Sequence, residues 1–505
     1  MTINIEQMAA FCKQKGFVYQ DSEIYGTLAG FWDFGPLGVE LKNNIKANWW
    51  KRFVHDREDV VGMDGSIITN RKVWEASGHV SCFGDLMITC KKCKYKTRAD
   101  QFLEDELNEN YEGIKAEDVN RLLNDNSLIC PKCKGEFQEA VDFNLMFETT
   151  VGPVKDKSNT AFLRPETAQL IFADFHLIKD SARKQLPFGI AQIGKAFRNE
   201  ISPREFLFRS REFEQMEMEF FTHPDKINDC PLFDDVKKMK VNIITADDQA
   251  KQKEHKAITI EQLSKMTSKW HSYWIAEVYQ WFLDMGIKPE NLRIREHLAK
   301  ELAHYAGACF DVEYNFPFGW KEIHGNADRQ QFDMQQHIKV SGKDITIYDE
   351  ETKQKVVPYV ASEPSQGVDR AFLAVMFDAY ENDEKRGNIV LHFDNDLTPI
   401  KVKVFPLMNK LHEPARKIFK LLQKDFICQY DKSGSVGRRY ARADEVGVPY
   451  CVTVDFDGVE TKTVTIRDRE STKQRRVKID ELKSVLCQLL NGEEFSKFGE
   501  EVKSK

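Results

Sequence analysis

The stretch that decides the fold reads Phe197-Arg198-Asn199-Glu200 and, after a short loop, Arg209-Ser210-Arg211-Glu212-Phe213. It places two guanidinium groups, a carboxylate and a flat aromatic ring around one loop. Arginine suits phosphate better than lysine, because its planar fork holds two oxygens and stays charged when partly desolvated. The pattern therefore predicts a nucleotide clamp with Phe213 stacked on the base. A basic, solvated hairpin with Phe197 and Phe213 in the core stays open as the alternative.

Length and composition predict a globular chain of two or three units, since 505 residues exceed one ordinary domain. No apolar run is long enough to cross a bilayer, and the N-terminus does not read as a signal segment, so we expect a cytoplasmic protein with no membrane partner. Most of the 11 cysteines are scattered singly, which favours reduced thiols over disulfides.

Charge is distributed unevenly along the chain. Residues 401–505 carry 22 Lys and Arg against 16 Asp and Glu, so this part is +6 and the preceding 400 residues are −13. A basic C-terminal unit suits contact with a polyanion, although a solvated charged surface explains the same count.

Short apolar runs separated by turn residues predict an α+β fold with an antiparallel sheet. Helices are expected near 39–53, 270–285 and 367–380, and an exposed hairpin near 339–357. After Pro399 the pattern changes to alternating strands and helices, which indicates a compact α/β domain. We predict a main domain over 1–398, with insertions at 89–140 and 224–268, and a second domain over 399–505. The 224–268 segment is polar and weakly periodic, so we expect it on the surface.

Two Cys-x-x-Cys pairs give the strongest local signal, Cys90-Lys-Lys-Cys93 and Cys130-Pro-Lys-Cys133. Each pair can direct two thiolates at one centre, and four soft ligands are what tetrahedral structural zinc prefers. The pairs predict a structural Zn²⁺ site with no open position. Two redox-active or incidental pairs remain the alternative.

Two further patterns are misleading. Residues 189–195 match the spacing of a phosphate-binding loop, but Ala196 stands where a magnesium-binding Ser or Thr belongs, and the residues between read as a buried strand. Lys265-Met-Thr-Ser-Lys269 resembles a class I synthetase signature without its His-x-Gly-His partner.

Two more segments complete a recognisable series. Gly367-Val-Asp-Arg370 begins an apolar helix, which sets Arg370 at a helix N-terminus where phosphate binds well. Pro36 precedes the predicted 39–53 helix. In order, Pro36, the opening stretch and Gly367–Arg370 resemble motifs 1, 2 and 3 of the class II aminoacyl-tRNA synthetases. Motif 1 is the dimer element of that class, so the resemblance implies a homodimer.

Longer stretches resemble the homodimeric glycyl-tRNA synthetases over nearly the whole chain. They are Arg164-Pro-Glu-Thr-Ala-Gln169, Phe213-Glu-Gln-Met-Glu217, Gly319-Trp-Lys-Glu322-Ile323 and Glu363-Pro-Ser-Gln-Gly367; residues 437–445 and 449–454 are similar to their anticodon-binding domain. The resemblance implies a class II catalytic domain with a zinc insertion, a C-terminal anticodon-binding domain, and a ligase that uses ATP to join glycine to tRNA(Gly).

The resemblance also implies roles for individual residues. Arg198, Arg209, Arg370 and Glu322 are the expected catalytic residues, with Glu322 on Mg²⁺. The ATP contacts it implies are Arg198, Asn199, Glu200, Phe208, Arg209, Ser210, Arg211, Glu212, Phe213, Glu322, Ile323, Gly367, Val368, Asp369 and Arg370. The glycine contacts it implies are Arg98, Glu166, Phe213, Glu214, Gln215, Met216, Glu217, Arg329, Glu363, Pro364, Ser365, Gln366 and Gly367. Candidate RNA contacts are Arg438, Arg439 and Arg442, unless these form only a solvated helix face.

Three other functions remain open from the sequence. A non-catalytic protein on the same scaffold would be expected to lose its ATP-binding arginines, and all three are present. A synthetase for another small amino acid fits the Glu217 and Glu363 pair less well. A zinc-dependent nucleic-acid regulator accounts only for the cysteine insertion.

Overall fold

The structure, a computed structural model, describes residues 3–109, 111, 113–154, 156, 159–303, 305–349 and 352–502. Its centre is a nine-stranded sheet that is antiparallel except at two pairs. In spatial order the strands are Lys256–Thr259, Lys240–Ile244, Leu292–Glu296, Ala308–Phe316, Gly319–Asp328, Tyr359–Gly367, Glu212–Thr222, Phe188–Phe197 and Val60–Gly62. The α+β architecture with an antiparallel sheet is confirmed.

Three helices cover one face of this sheet: Pro36–Trp50, Lys269–Asp284 and Val368–Ala379. Their buried aromatic side chains pack with Met216, Met218 and Phe220 in the largest core of the protein. The opposite face therefore carries the alternate residues of the same strands. That face is covered at one end by the helices Ala168–Ala182 and Phe332–Ser341, and it is open at the other.

The predicted helix boundaries hold to within a few residues. The 39–53 helix begins three residues earlier, at Pro36, whose fixed φ suits a first helical turn, and it continues into a π-helical turn, Lys51–His55. The 270–285 helix runs Lys269–Asp284, capped by Ser268, and the chain leaves it at Gly286 with φ of +89°. The misleading 189–195 segment lies inside the Phe188–Phe197 strand, as expected.

The cysteine insertion forms a small unit. A three-stranded sheet, Lys96–Arg98, Gly84–Thr89 and Val141–Asn144, packs with the helices Ala99–Leu107 and Ala116–Asp125 around a separate core. Ile88, Leu103 and Val119 are completely buried in that core.

The 224–268 segment differs from the surface insertion that its composition suggests. Its strands Lys240–Ile244 and Lys256–Thr259 extend the central sheet at one edge. Val241, Ile243 and Ile260 are 1% exposed or less and belong to the main core. Apolar residues at alternate positions anchor the segment in the core, but the many charged residues of the segment obscure this alternation in the sequence.

The C-terminal domain is a six-stranded mixed sheet, parallel in its first three strands. Its strands are Cys428–Tyr430, Val402–Pro406, Tyr450–Val454, Thr463–Asp468, Gln474–Lys478 and Glu500–Glu501. Its helices are His412–Leu422, Val436–Asp444, Phe456–Thr461 and Leu482–Leu490. Arg386 of the main domain joins the two units by donating to the carbonyl of Arg469 at 2.8 Å.

The remaining elements are short connections around these bodies. They are the α-helices Ile5–Lys15, Arg71–Ala76, His79–Cys82, Phe233–Val236, Ala246–Ala250 and Ile260–Leu263, the strands Val18–Gln20, Trp32–Phe34, Ile68–Thr69, Phe147–Thr150, Thr160–Leu163, Ile347–Asp349, Gln354–Val356, Tyr380–Asp383 and Asn388–Leu391, and several single 3₁₀ turns. The hairpin predicted near 339–357 is Ile347–Asp349 paired with Gln354–Val356. Within the described residues, every helix is too short or too polar to cross a membrane.

Candidate active site

An inner cavity of about 140 Å³ opens on the exposed part of the sheet face. It lies between the end of the Phe188–Phe197 strand, the start of Glu212–Thr222 and the N-terminus of the Val368–Ala379 helix. The described residues that line it are Arg198, Glu200, Leu207, Phe208, Arg209, Ser210, Phe213, Gln215, Glu322, Ser365, Gly367, Asp369 and Arg370. The structure thus brings both halves of the opening stretch and the Gly367–Arg370 segment to one space.

Three arginines surround this cavity in different electrostatic settings. Arg198 donates to the carbonyl of Pro165 at 3.0 Å and lies 5.4 Å from the ring centre of Phe213. Arg370 contacts Glu322 Oε2 at 2.9 Å and lies over the ring of Phe208. Arg209 is the least satisfied: its Nη1 is buried without a hydrogen bond, 3.8 Å from a Glu200 oxygen that is equally unpartnered.

Burial is the main reason that the pKa of Arg209 is lowered, and repulsion from Arg98 adds to it. A buried donor with no partner costs free energy that an anionic ligand can offset. Arg209 therefore has a buried guanidinium nitrogen, without a hydrogen-bond partner, that suits an anionic ligand.

A wider cleft of about 690 Å³ continues outward from the same residues. The cysteine insertion forms one wall through Arg98 and Asp100, and the sheet forms the other through Asp311, Glu313 and Glu322. Arg98 is held by Asp100, to Oδ1 at 3.0 Å, and by Asp85 Oδ2 at 3.0 Å. Both signs of charge line the cleft: the basic side chains are Arg98, Arg204, Arg209, Arg295, Lys321 and Arg370, and the acidic ones are Asp100, Glu104, Asp105, Glu109, Glu205, Asp311, Glu313 and Glu322.

A buried carboxylate cluster adjoins the inner end of the cavity at Ser365. The Ser365 hydroxyl donates to Glu217 Oε1 at 2.7 Å, and the other oxygen of Glu217 accepts from the Thr167 N–H at 2.9 Å and from its hydroxyl. Glu363 accepts from Arg329 at 2.7 Å. Glu166 lies 3.3 Å from His79 Nε2. The cluster brings together four of the residues implied for glycine: Glu166, Glu217, Arg329 and Glu363.

The cluster holds more carboxyl groups than basic groups. Burial, and then repulsion from Glu166, raises the pKa of Glu217. Burial raises the pKa of Glu363 to about 8, even though Arg329 opposes this. Glu166 differs, because His79 lowers its pKa in spite of burial. A small cation entering beside Ser365 would relieve the repulsion between these carboxylates.

Glu219 belongs to the same cluster, and the sequence interpretation missed it. It follows Glu217 by two residues on one face of the strand, is completely buried, and neither of its oxygens has a hydrogen-bond partner. Burial and the nearby Glu363 raise its pKa well above the usual range, which favours its neutral form. Side chains along a strand alternate between its two faces, so counting from Phe213 could have placed Glu219 on the same face as Glu217.

Several residues implied for ATP or glycine point elsewhere. On the Glu212–Thr222 strand, Glu212, Glu214 and Met216 face away from the cavity, since successive side chains alternate; Glu212 contacts Lys195 at 2.5 Å and Met216 is in the main core. The same alternation directs Pro364 and Gln366 away, and Gln366 donates to the carbonyl of Ile323 at 2.7 Å.

The other exceptions have structural partners. Arg211 donates to the carbonyl of Glu200 at 2.8 and 3.0 Å and to that of Ala29 at 2.9 Å, so it holds the loop instead of facing the cavity. Asn199 lies outside the cavity lining, where its backbone N–H donates to the carbonyl of Leu145. Ile323 and Val368 are completely buried in the main core.

The four cysteines of the insertion converge. Cys90 and Cys133 Sγ are 3.4 Å apart, Cys93 and Cys130 Sγ are 3.6 Å apart, and all four sulfurs lie within 4.8 Å of one another. Sulfurs at 2.3 Å from one tetrahedral centre would be about 3.8 Å apart. The backbone N–H of Cys93 is the main reason that the pKa of Cys90 falls to about 6. The donor set and its spacing fit zinc.

In the C-terminal domain the three candidate RNA-binding arginines differ in exposure. Arg438 is exposed at the start of the Val436–Asp444 helix. Arg439 is 3% exposed and donates to the carbonyls of Pro406, Leu407 and Gly434. Arg442 pairs with Asp431 at 2.6 Å. Arg439 is therefore a structural residue, which corrects its interpretation as an RNA contact.

Comparison with known families agrees with this geometry. The tRNA synthetase class II core domain (G, H, P, S and T) matches residues 147–242, and the Anticodon binding domain matches residues 401–489. The first match contains the arginine-bearing hairpin of the cavity. The fold and the site define a class II aminoacyl-tRNA synthetase.

Curated relatives narrow the class further. The glycine–tRNA ligase of Clostridium kluyveri is 44% identical over 95% of this chain and 97% of its own length. Those of Caldanaerobacter subterraneus subsp. tengcongensis and Clostridium acetobutylicum are 44% and 45% identical, over 96% and 95% of this chain and 98% of their own lengths. The chain belongs to the glycine–tRNA ligase family.

Proposed function

We propose that the chain activates glycine with ATP to glycyl-adenylate and then transfers the glycyl group to the 3′ end of tRNA(Gly). The observation that carries this is the continuity between two sites: Ser365 lines the arginine-bearing cavity and also donates to Glu217 of the carboxylate cluster. One end suits a triphosphate, and the other suits a small ammonium group.

In the first step the glycine carboxylate attacks the α-phosphorus of ATP in line. An O–P bond forms, the bond to the β-phosphate breaks, and pyrophosphate leaves. The protein needs no nucleophile, because its contribution is positioning and neutralisation of charge. Arg198 holds the α-phosphate and the carboxylate, Arg209 and Arg370 hold the β- and γ-phosphates, and Phe213 packs on adenine.

In the second step the terminal ribose hydroxyl of the tRNA attacks the adenylate carbonyl, and AMP leaves. The outer cleft gives the tRNA end a route to this point, since it opens from Arg209 and Arg370 toward solvent. The six basic side chains among its mixed charges are candidate partners for the phosphates of the tRNA end. Arg98 lines the wall formed by the cysteine insertion, which supports its role as a substrate contact from that side.

Selection of glycine rests on a small acidic pocket. Glu217 and Glu363 bind the ammonium group, Ser365 forms the wall, and Arg329 holds Glu363 in place, while Glu166 adds negative charge behind them. An amino acid whose side chain has even one methyl group would clash with the packed residues of the pocket wall. Such a clash excludes a larger substrate more easily than a pocket can exclude a smaller one. No separate editing site is needed for such a choice.

Two metal ions fit the described side chains. Oxygen donors suit Mg²⁺, and Glu322 lines the outer cleft with Glu313 and Asp311. Burial opposes the charged form of Glu322, but attraction and hydrogen bonding to Arg370, together with His297 and Arg198, lower its pKa overall and favour the anion. When bound there, Mg²⁺ neutralises phosphate charge. Zn²⁺ fits the four sulfurs of the insertion, and a centre closed by four protein ligands is structural.

The proposal extends to assembly, domains and location. Residues 1–398 form the catalytic domain, and residues 399–505 read the anticodon with Arg438 as a candidate contact. The Pro36–Trp50 helix is the element of a homodimer; Val39 on it is 40% exposed, and light scattering in solution tests the dimer. All ten described cysteines outside Cys82 are free thiols, which suits the cytoplasm.

A charging assay tests the proposed function. Purified protein, ATP and unfractionated tRNA are incubated with each labelled amino acid in turn. We expect acid-precipitable label with glycine alone. Label with alanine or serine instead of glycine would favour a synthetase for another small amino acid, and no label with any amino acid would favour a non-catalytic protein on the same scaffold.

A further inference from the structure

Lys42 is a buried lysine on the Pro36–Trp50 helix, and the proposed mechanism does not use it. It is 6% exposed, and its ammonium lies 4.0 Å from the ring centre of Phe34. An ammonium group so far from water requires anionic partners to remain charged.

Those partners come from two different elements of the ATP site. Lys42 Nζ lies 3.1 Å from Asp369 Oδ1, at the start of the Val368–Ala379 helix, and 3.2 Å from Glu214 Oε2, on the Glu212–Thr222 strand. Burial alone would lower the pKa of Lys42, but the two carboxylates raise it overall, so the lysine is charged.

The two carboxylates are also joined directly. Asp369 Oδ2 accepts the backbone N–H of Glu214 at 2.9 Å, and Lys46, one turn further along the helix, contacts Glu214 Oε1 at 3.0 Å. Two lysines and two carboxylates thus form a charge-balanced network, in which Lys42 and Asp369 are buried and Lys46 and Glu214 are half-buried. Each carboxylate has a chain neighbour in the ATP site, since Arg370 follows Asp369 and Phe213 precedes Glu214.

We infer that Lys42 is a positioning residue for ATP, because it fixes the distance between the phosphate-binding Arg370 and the adenine-binding Phe213. A shift of about 1 Å between groups that bind one substrate can cost a large factor in rate. Among the described residues, Glu217, Ser365 and Glu363 form hydrogen bonds with one another or with Thr167 and Arg329, which lie outside this network, so we expect the glycine pocket to depend less on Lys42 than the ATP site does. This inference rests on the proposed function, and it adds a role for a residue outside the cavity.

The test uses a charge-balanced variant so that the protein stays folded. Lys42→Met alone leaves two buried carboxylates with one lysine, which is strongly destabilising. The double variant Lys42→Met, Glu214→Gln removes one charge of each sign. Lys46→Met is the matched control, since Lys46 lies on the same helix and contacts Glu214 but not Asp369. Lys42→Arg tests rescue by another cation.

Glycine-dependent exchange of pyrophosphate into ATP gives KM for each substrate, and a thermal melt reports stability. We expect the double variant to raise KM for ATP by about tenfold or more and to change KM for glycine by less than about twofold. Lys42→Arg keeps a cation at this position, so it should raise KM for ATP less than the double variant does. Lys46→Met should leave KM for ATP within about twofold.

A double variant that melts at a lower temperature but keeps both KM values would overturn the inference, because Lys42 would then serve stability alone. Equal increases in both KM values would overturn it too. Failure of the proposed function looks different: the wild-type protein would then show no glycine-dependent exchange at all.

Discussion

Arg329 donates to Glu363 at 2.7 Å while both oxygens of Asp333 accept from the same guanidinium at 2.7 and 2.8 Å. Arg329 is 1% exposed and lies 3.9 Å from the ring centre of Tyr305. A guanidinium committed to two carboxylates in a dry site cannot swing toward a substrate carboxylate. Arg329 therefore fixes Glu363, and Glu363 is free to bind on its other side.

Glycine affinity should rise with pH. Burial raises the pKa of Glu363 to about 8, so this carboxyl group is protonated at neutral pH in the folded protein without glycine. The folding free energy that the protonated group contributes is lost as the pH rises through that value. An ammonium group favours the ionised form. Binding should tighten between about pH 6 and pH 8, by at most about tenfold per unit, with release of a proton. Calorimetry in buffers of different ionisation enthalpy measures both, and a heat that does not depend on the buffer would contradict the prediction.

Phe213→Leu should weaken ATP binding with little effect on folding. Loss of stacking on the base costs about 1–3 kcal/mol, which corresponds to an increase of about 5- to 150-fold in KM for ATP. Glu212→Gln is the control, since Glu212 is on the same strand but faces Lys195. Pyrophosphate exchange measures both variants. An unchanged KM in Phe213→Leu would mean that adenine lies elsewhere.

Cys130→Ser should remove the metal and loosen the insertion. Elemental analysis of the wild-type protein should find about one zinc per chain, and the variant should lose it and melt at a lower temperature, because structural zinc contributes folding free energy. A variant that retains its zinc would refute the four-cysteine site. Limited proteolysis within 89–140 should locate the loosened region.

Arg438→Ala and Arg439→Ala should separate RNA binding from folding. Loss of the exposed Arg438 should affect only the charging of tRNA. It should raise KM for tRNA by about tenfold, because a contact between the protein and a phosphate or a base is lost. Loss of the buried Arg439, which donates to four backbone carbonyl groups, should lower the melting temperature instead. Pyrophosphate exchange needs no tRNA and should stay unchanged in Arg438→Ala. The same exchange defect in both variants would argue against this division.

Local sequence patterns, such as the spacing of apolar residues, predicted much of the fold. Arg198, Arg209 and Arg370 stand in short segments whose strand or helix start is visible from apolar spacing and from Gly367. The resemblance, which carries over contiguous motif residues, grouped Glu212, Glu214 and Met216 with Phe213, although alternation along the strand separates them.

What remained hidden depends on contacts distant in sequence. Lys42 lies 327 residues from Asp369, and no local period marks that pairing. Glu219 reads as one more charge on a strand until burial shows that both oxygens lack partners. The two strands of the 224–268 segment are recognisable only from the sheet edge that they join.

The most direct test of the central claim is exchange of labelled pyrophosphate into ATP by the wild-type protein and by Arg198→Ala, without tRNA. We predict exchange with glycine and with no other amino acid, and a loss of about 100-fold or more in Arg198→Ala, because a group that stabilises developing charge is removed. The variant should still bind tRNA. Exchange without glycine dependence, or full exchange in Arg198→Ala, would contradict the account.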